Sequence, residues 1–281
     1  MIADSAALTA QVEALGAQAL PLYFGLLPAL LVLVSIGWAL ARRYTVPTET
    51  SHLSPGAFLL IRLVLGFAFV VAAAAVFAEM AEVLGSSDHA RRAGELDQVF
   101  SNAVKRGIGL HAFGFFSAVT HLADTATLTV LCAVGAALLV YAGRKWLALA
   151  FVAAIGGNAI LNTTLKAIFE RARPLHDQAE EIARGFSFPS GHSSSAVVAY
   201  GMAAYVLIRC LSPAQAARWA WPLVLLATAL AFTIGCSRIF IQAHFATDVL
   251  AGFASGSSWL AVCMGSAHWL HHDRRMRKLS R

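Results

Sequence analysis

Seven apolar stretches, each about long enough to cross a bilayer as a helix, constrain this chain of 281 residues more than any other feature. They cover residues 20–41, 57–77, 125–142, 146–165, 193–208, 219–237 and 249–269. A charge at the bilayer centre costs about 2.5–3.5 kcal/mol. The stretches keep charge away from their centres; Arg62, near the start of the second, is close enough to an end to reach the interface. Only 13% of the residues are charged and 58% are hydrophobic, too apolar to cover a soluble surface. The expected fold is all-α, a polytopic transmembrane helix bundle with no soluble domain.

Four cysteines, Cys132, Cys210, Cys236 and Cys263, lie in or beside apolar stretches without CxxC spacing, which argues against a disulfide framework or a zinc site. Before the first stretch the only charged side chains are Asp4 and Glu13. A cleaved signal peptide would carry a basic start, so this segment reads as a short amphipathic helix or a frayed end.

The net charge of +6 is unevenly placed. Basic residues gather at Arg42 and Arg43, at Arg144 and Lys145, at Arg209 with Arg218, and in the tail HHDRRMRKLSR. Seven alternating spans put all four groups on one side, and the positive-inside rule makes that side cytoplasmic. The N-terminus is then outside and the C-terminus inside. Topology accounts for the basic tail, so the expected partners are membrane lipids and no nucleic acid.

The longest connection, residues 84–124, falls on the outer side. Within it Leu96, Val99, Phe100, Ala103, Val104 and Ile108 recur at helical steps, while Asp97, Gln98, Ser101, Asn102, Lys105 and Arg106 fill the other face. Such a helix either lies on the membrane surface and guides a head group inward, or caps the bundle.

Three segments carry residues that topology does not require: KAIFERARP (166–174), FPSGHSS (188–194) and SRIFIQAHFATD (237–248). They fall at the exit of the fourth span, the entrance of the fifth, and between the sixth and seventh, so all three meet at the outer pole. Lys166 and Arg173, seven residues apart, share a face if their helix runs on for about two turns to Pro174. Two cations on one face suggest an anion site, with Glu170 a possible partner of Lys166. Ser190 is placed to cap a helix, Gly191 permits close backbone approach, and free amides at a helix start favour phosphate. His192 sits on that first turn. Arg238 adds a third cation. His244 and Asp248 are four apart, and a carboxylate beside an imidazole orients it. Three cations can neutralise a phosphoryl group, while one histidine attacks phosphorus and the other protonates the leaving oxygen.

These segments resemble the signature of the type 2 phosphatidate phosphatase superfamily: KxxxxxxRP, then PSGH, then SRxxxxxHxxxD, with every fixed position present between residues 160 and 252. The resemblance implies a six-helix phosphatase core, so the first span is an extra N-terminal one, and residues 1–50 divide from a membrane phosphatase domain at 51–281. It implies that Lys166, Arg173, Arg238, Ser190 and Gly191 bind the phosphate. By the same resemblance His244 forms a phosphohistidine oriented by Asp248, His192 is the acid, and no metal or other cofactor takes part. The implied substrate is a lipid phosphate: undecaprenyl pyrophosphate, phosphatidate or phosphatidylglycerol phosphate. The expected setting is the cell membrane, bacterial from the alanine-rich, compact chain, with the site on its extracytoplasmic side. Three alternatives stand beside this expectation. A phosphotransferase would keep the chemistry and change the acceptor. An anion transporter would leave the histidines without a task. A metal site of His192, His244 and Asp248 would suffer repulsion from three cations.

Overall fold

The computed structural model describes residues 2–45, 55–85, 87–174 and 185–279. Its elements are α1 (Ile2–Ala17), α2 (Ala19–Thr45), α3 (Pro55–Gly85), α4 (Ser87–Gly107), α5 (Leu110–Thr120), a 3-10 turn (His121–Ala123), α6 (Thr125–Tyr141), α7 (Lys145–Phe169), α8 (Gly191–Cys210), α9 (Pro213–Phe240) and α10 (Ala246–Leu279). The side chains of Arg43, Arg62 and the basic tail, the boundary expected at residue 50, and residues 175–184 between the first two motif segments lie outside the described residues.

Among the described residues six helices are long and apolar enough to cross a membrane. The pair Leu110–Ala123 and Thr125–Tyr141, bent by 45°, is long and apolar enough only when its two arms are taken together. The protein is therefore a multi-pass membrane helix bundle. The third stretch read from the sequence, 125–142, is only one arm of that pair. The other arm, α5, lies in what the sequence marks as an outer connection. Its apolar run is short and flanked by His111, His121 and Asp124, so it does not register as a span alone. In the bundle Phe116 of α5 stacks on Phe240 of α9, with ring centroids 4.2 Å apart.

Apolar side chains cover the membrane-facing sides, as Leu33 on α2, Phe67 on α3 and Ile160 on α7 illustrate. Inside, Phe151 of α7 and Val198 and Met202 of α8 form a buried cluster. Tyr23 of α2 packs edge-on against Phe116, and its hydroxyl lies 2.8 Å from Thr233 of α9. The N-terminal segment is helical rather than frayed, and α1 packs along α4.

Two features fix the pole that carries the motifs. Ser212 and Gln215 close a capping box at the start of α9, with Pro213 as its first helical residue. This hairpin returns the chain to the motif pole. The second feature is a seam between α8 and α10. A Cβ on Gly252 would lie 2.6 Å from the Ser190 carbonyl oxygen, and one on Gly256 would lie 2.7 Å from that of Ser194. Only glycine lets the two backbones come this close. At the opposite pole, Arg144 precedes α7 and Lys145 begins it, while Arg209 and Arg218 flank the turn from α8 to α9.

Candidate active site

Lys166 sits on the last turn of α7. That helix does not continue to Arg173. Glu170 adopts a left-handed conformation (φ 45°), its N–H closes on the Lys166 carbonyl at 3.1 Å, and residues 170–174 leave the helix. The expected shared helical face is therefore replaced by convergence from two directions. Lys166 Nζ donates to the Phe186 carbonyl at 2.5 Å rather than pairing with Glu170. Arg173 donates from Nε to the Gly185 carbonyl at 3.0 Å, and from Nη1 to the Ala243 carbonyl at 2.7 Å.

Ser190 caps α8, accepting hydrogen bonds from the Ser193 amide and hydroxyl. Gly191 and His192 are the first two residues of the helix, so their amides belong to the set with no intrahelical partner. Gly191 also has a packing role, because a Cβ there would lie 3.3 Å from Asn162 Oδ1. The Ser190 amide donates to the Asp248 carbonyl at 2.9 Å, which ties the α8 cap to the start of α10.

His244 and Asp248 approach each other, although His244 precedes α10 and lies outside the helix. His244 Nδ1 is 3.5 Å from Asp248 Oδ2 and 3.3 Å from the Ser187 hydroxyl, which itself donates to Asp248. Nε2 faces Arg173 Nη1 at 3.2 Å. A guanidinium can only donate, so Nε2 accepts and the ring proton sits on Nδ1, toward the carboxylate. Burial pushes the His244 pKa down to about 3; Asp248 opposes the shift, and Arg173 and Arg238 add to it. The imidazole is neutral near pH 7, with its Nε2 lone pair turned toward the Arg173 cation.

Arg238 is buried at the end of α9. Its Nη1 donates to Thr120 at 2.8 Å, while Nε is buried with no hydrogen-bond partner among the described residues. A buried charged donor without an acceptor marks a place for an anion. His192 Nε2 lies 2.9 Å from Asp124 Oδ1, and the other oxygen of Asp124 lies 2.7 Å from His121 Nδ1. Thr120 and Asp124 flank the 3-10 turn at the bend, so this irregular junction serves both Arg238 and His192.

All eight residues singled out from the sequence thus lie at one pole, at the ends of α7, α8, α9 and α10 or, like Arg173 and His244, in the loops beside them. Five more were missed: Arg171, Asp97, Ser187, Thr120 and Asp124. Arg171 is the most consequential. It donates to Asp248 at 2.6 Å and to Asp97 of α4 at 2.7 Å. Burial works against its charge, but Asp248 and Asp97 outweigh that and raise its pKa above the ordinary value. Asp97, which the periodicity assigns to a polar face, is buried, and burial raises its pKa against the pull of Arg171 and Thr247. The signal for Arg171 was present as a third cation within KAIFERARP. Asp97 gave no signal of its own.

A model of the PAP2 superfamily matches residues 147–271, a span that includes all three motif segments. The chain is 33% identical over 144 residues to phosphatidylglycerophosphatase B of Bacillus subtilis (strain 168), covering 49% of this chain and 66% of that protein's length. The crystal structure of a transmembrane PAP2 type phosphatidylglycerolphosphate phosphatase from Bacillus subtilis is also similar. It matches with a TM-score of 0.62 and 26% identity, covering 70% of this chain and 94% of that one.

Proposed function

The chain belongs to the PAP2 superfamily, and on that premise we propose that it hydrolyses the terminal phosphate of a membrane lipid through a phosphohistidine at His244. The observation that carries this reading is the contact of Arg173 Nη1 with His244 Nε2 at 3.2 Å. It sets an anion-binding cation against a nitrogen that bears a lone pair.

In this reading Lys166, Arg173 and Arg238 hold the phosphoryl oxygens, with Ser190 and the Gly191 amide at the start of α8. The Nε2 lone pair attacks phosphorus, the bond from phosphorus to the lipid oxygen breaks, and His192 gives that oxygen its proton. The His244 ring becomes an imidazolium, held through Nδ1–H by Asp248. Water then attacks phosphorus, hands a proton to His192 and displaces Nε2, releasing phosphate. Three fixed cations balance the charge of the transferred group, so the steps need no metal.

The membrane setting supports a lipid substrate, and both relatives are named for phosphatidylglycerol phosphate, which makes that the first substrate to test. Phosphatidate and undecaprenyl pyrophosphate follow. We place the site on the extracytoplasmic side of the cell membrane, because Arg144, Lys145, Arg209 and Arg218 lie at the other pole. The C-terminus is then cytoplasmic. We assign α1 and α2 to an N-terminal addition and the remainder to the phosphatase domain. The test is phosphate release by the purified protein in EDTA against a panel of these lipids. Wild type turns over and His244→Ala does not. Retained turnover in that variant refutes the mechanism, and high-yield transfer to an acceptor other than water replaces the hydrolase by a phosphotransferase.

A further inference from the structure

Helix α4 touches the nucleophile's loop at both ends. Asp97 and Ser101 stand one turn apart on it, and both are buried. Ser101 Oγ donates to Gln242 Oε1 at 2.7 Å, and Gln242 is held in a left-handed conformation (φ 63°) two residues before His244. Asp97 accepts from Thr247, three residues after His244, at 2.5 Å, and from Arg171 at 2.7 Å. Arg171 in turn donates to Thr247 at 2.8 Å and Asp248 at 2.6 Å, with its guanidinium 4.6 Å from the centre of the Phe245 ring. The side chains of Arg171, Asp97 and Asp248 are 11%, 7% and 0% exposed, so little solvent screens these charges.

We propose that α4 is the positioning strut of the nucleophile loop, with Asp97 acting through Arg171 to orient Asp248 and to set the charge it presents to His244. The proposal rests on the phosphohistidine reading. Two carboxylates and one guanidinium leave the trio with a net charge of −1. The imidazolium formed on attack therefore meets a net negative group. Without Asp97, Arg171 would neutralise Asp248 and that stabilisation would be lost. Arginine suits the place because its planar fork reaches two carboxylates at once, which an ammonium cannot do as well. None of these residues touches the phosphate; they act through Asp248 and the loop.

The experiment compares full-length wild type with Asp97→Asn, Asp97→Glu and Arg171→Lys, reading kcat on phosphatidylglycerol phosphate and the inhibition constant of inorganic phosphate. The proposal expects kcat to fall about 10- to 100-fold in Asp97→Asn and in Arg171→Lys. Phosphate inhibition should stay within about twofold, because Lys166, Arg173 and Arg238 are untouched. Asp97→Glu restores the charge and should recover most of kcat. The last two variants keep every buried charge, so they remain informative if Asp97→Asn does not fold. The proposal is overturned if Asp97→Asn or Arg171→Lys keeps more than half of wild-type kcat. It is equally overturned if phosphate inhibition weakens in step with kcat, as general loosening of the pole would cause. His244→Ala is assayed alongside. An active His244→Ala removes the mechanism itself, whereas an inactive one beside a fully active Asp97→Asn removes only the strut.

Discussion

Arg173 donates to the one nitrogen of His244 that Asp248 does not face. The same guanidinium is anchored on the Ala243 and Gly185 carbonyls, so its position does not depend on a bound anion. Replacement by lysine keeps the charge and loses the fork. We expect Arg173→Lys to lower kcat/KM about 10²- to 10³-fold, the range for removing one transition-state donor. Inhibition by inorganic phosphate should weaken at the same time, which separates this residue from Asp97.

Asp248→Asn tests the orientation of the ring. The amide cannot match the carboxylate's hold on Nδ1–H, and it leaves Arg171 with Asp97 alone. We expect kcat to fall about 10²- to 10⁴-fold, as when the carboxylate behind a catalytic histidine is replaced. Phosphohistidine trapped by rapid quench in alkaline detergent, where the P–N bond survives, should fall in parallel.

The pH dependence of stability follows from His244. The folded protein takes up its proton only near pH 3, whereas an unfolded chain takes it near 6.5. The unfolded state therefore binds more protons between those values, and stability drops as the pH falls from 6.5. The slope approaches ~1.4 kcal/mol per pH unit, or about 2 kcal/mol by pH 5. His244→Gln lacks this dependence. Thermal unfolding in detergent from pH 7.5 to 5 should lower the wild-type Tm relative to the variant, and parallel curves would contradict the burial of a neutral ring.

The seam between α8 and α10 predicts a contrast between two glycines. Gly256→Ala drives a methyl to 2.7 Å from the Ser194 carbonyl, a backbone atom that cannot turn aside. We expect a loss of about 1–3 kcal/mol from overpacking and weaker phosphate inhibition as the Ser190 cap shifts. Gly156→Ala meets nothing within 4 Å and should leave Tm unchanged or slightly higher.

Much of the pole was legible because its residues are rare in membrane spans and sit at fixed offsets. Lys166, Arg173, Ser190, His192, Arg238, His244 and Asp248 all stand out against apolar surroundings. Local geometry was less legible. The His244 and Asp248 spacing pointed to a real contact through a helix that His244 does not join. Likewise, Lys166 and Arg173 converge through a left-handed stop at Glu170 rather than along one helix. Arg171 was hidden among other cations. Its partner Asp97 lies 74 residues away on an amphipathic segment, where a lone carboxylate reads as solvated. Such a pairing depends on which connection folds over which loop, and hydrophobic periodicity does not encode that.

The close passage of Gly252 and Gly256 across α8 also divides what this enzyme can change from what it cannot. The seam joins the Ser190 cap to the Asp248 carbonyl as one rigid block, with no room for a ligand between the two backbones. Exposed side chains such as Leu33 of α2 and Phe67 of α3 lie outside that block and can change without disturbing it. Phe77 of α3, by contrast, packs on Phe188 beside the cap, so that helix cannot be exchanged whole without touching the block.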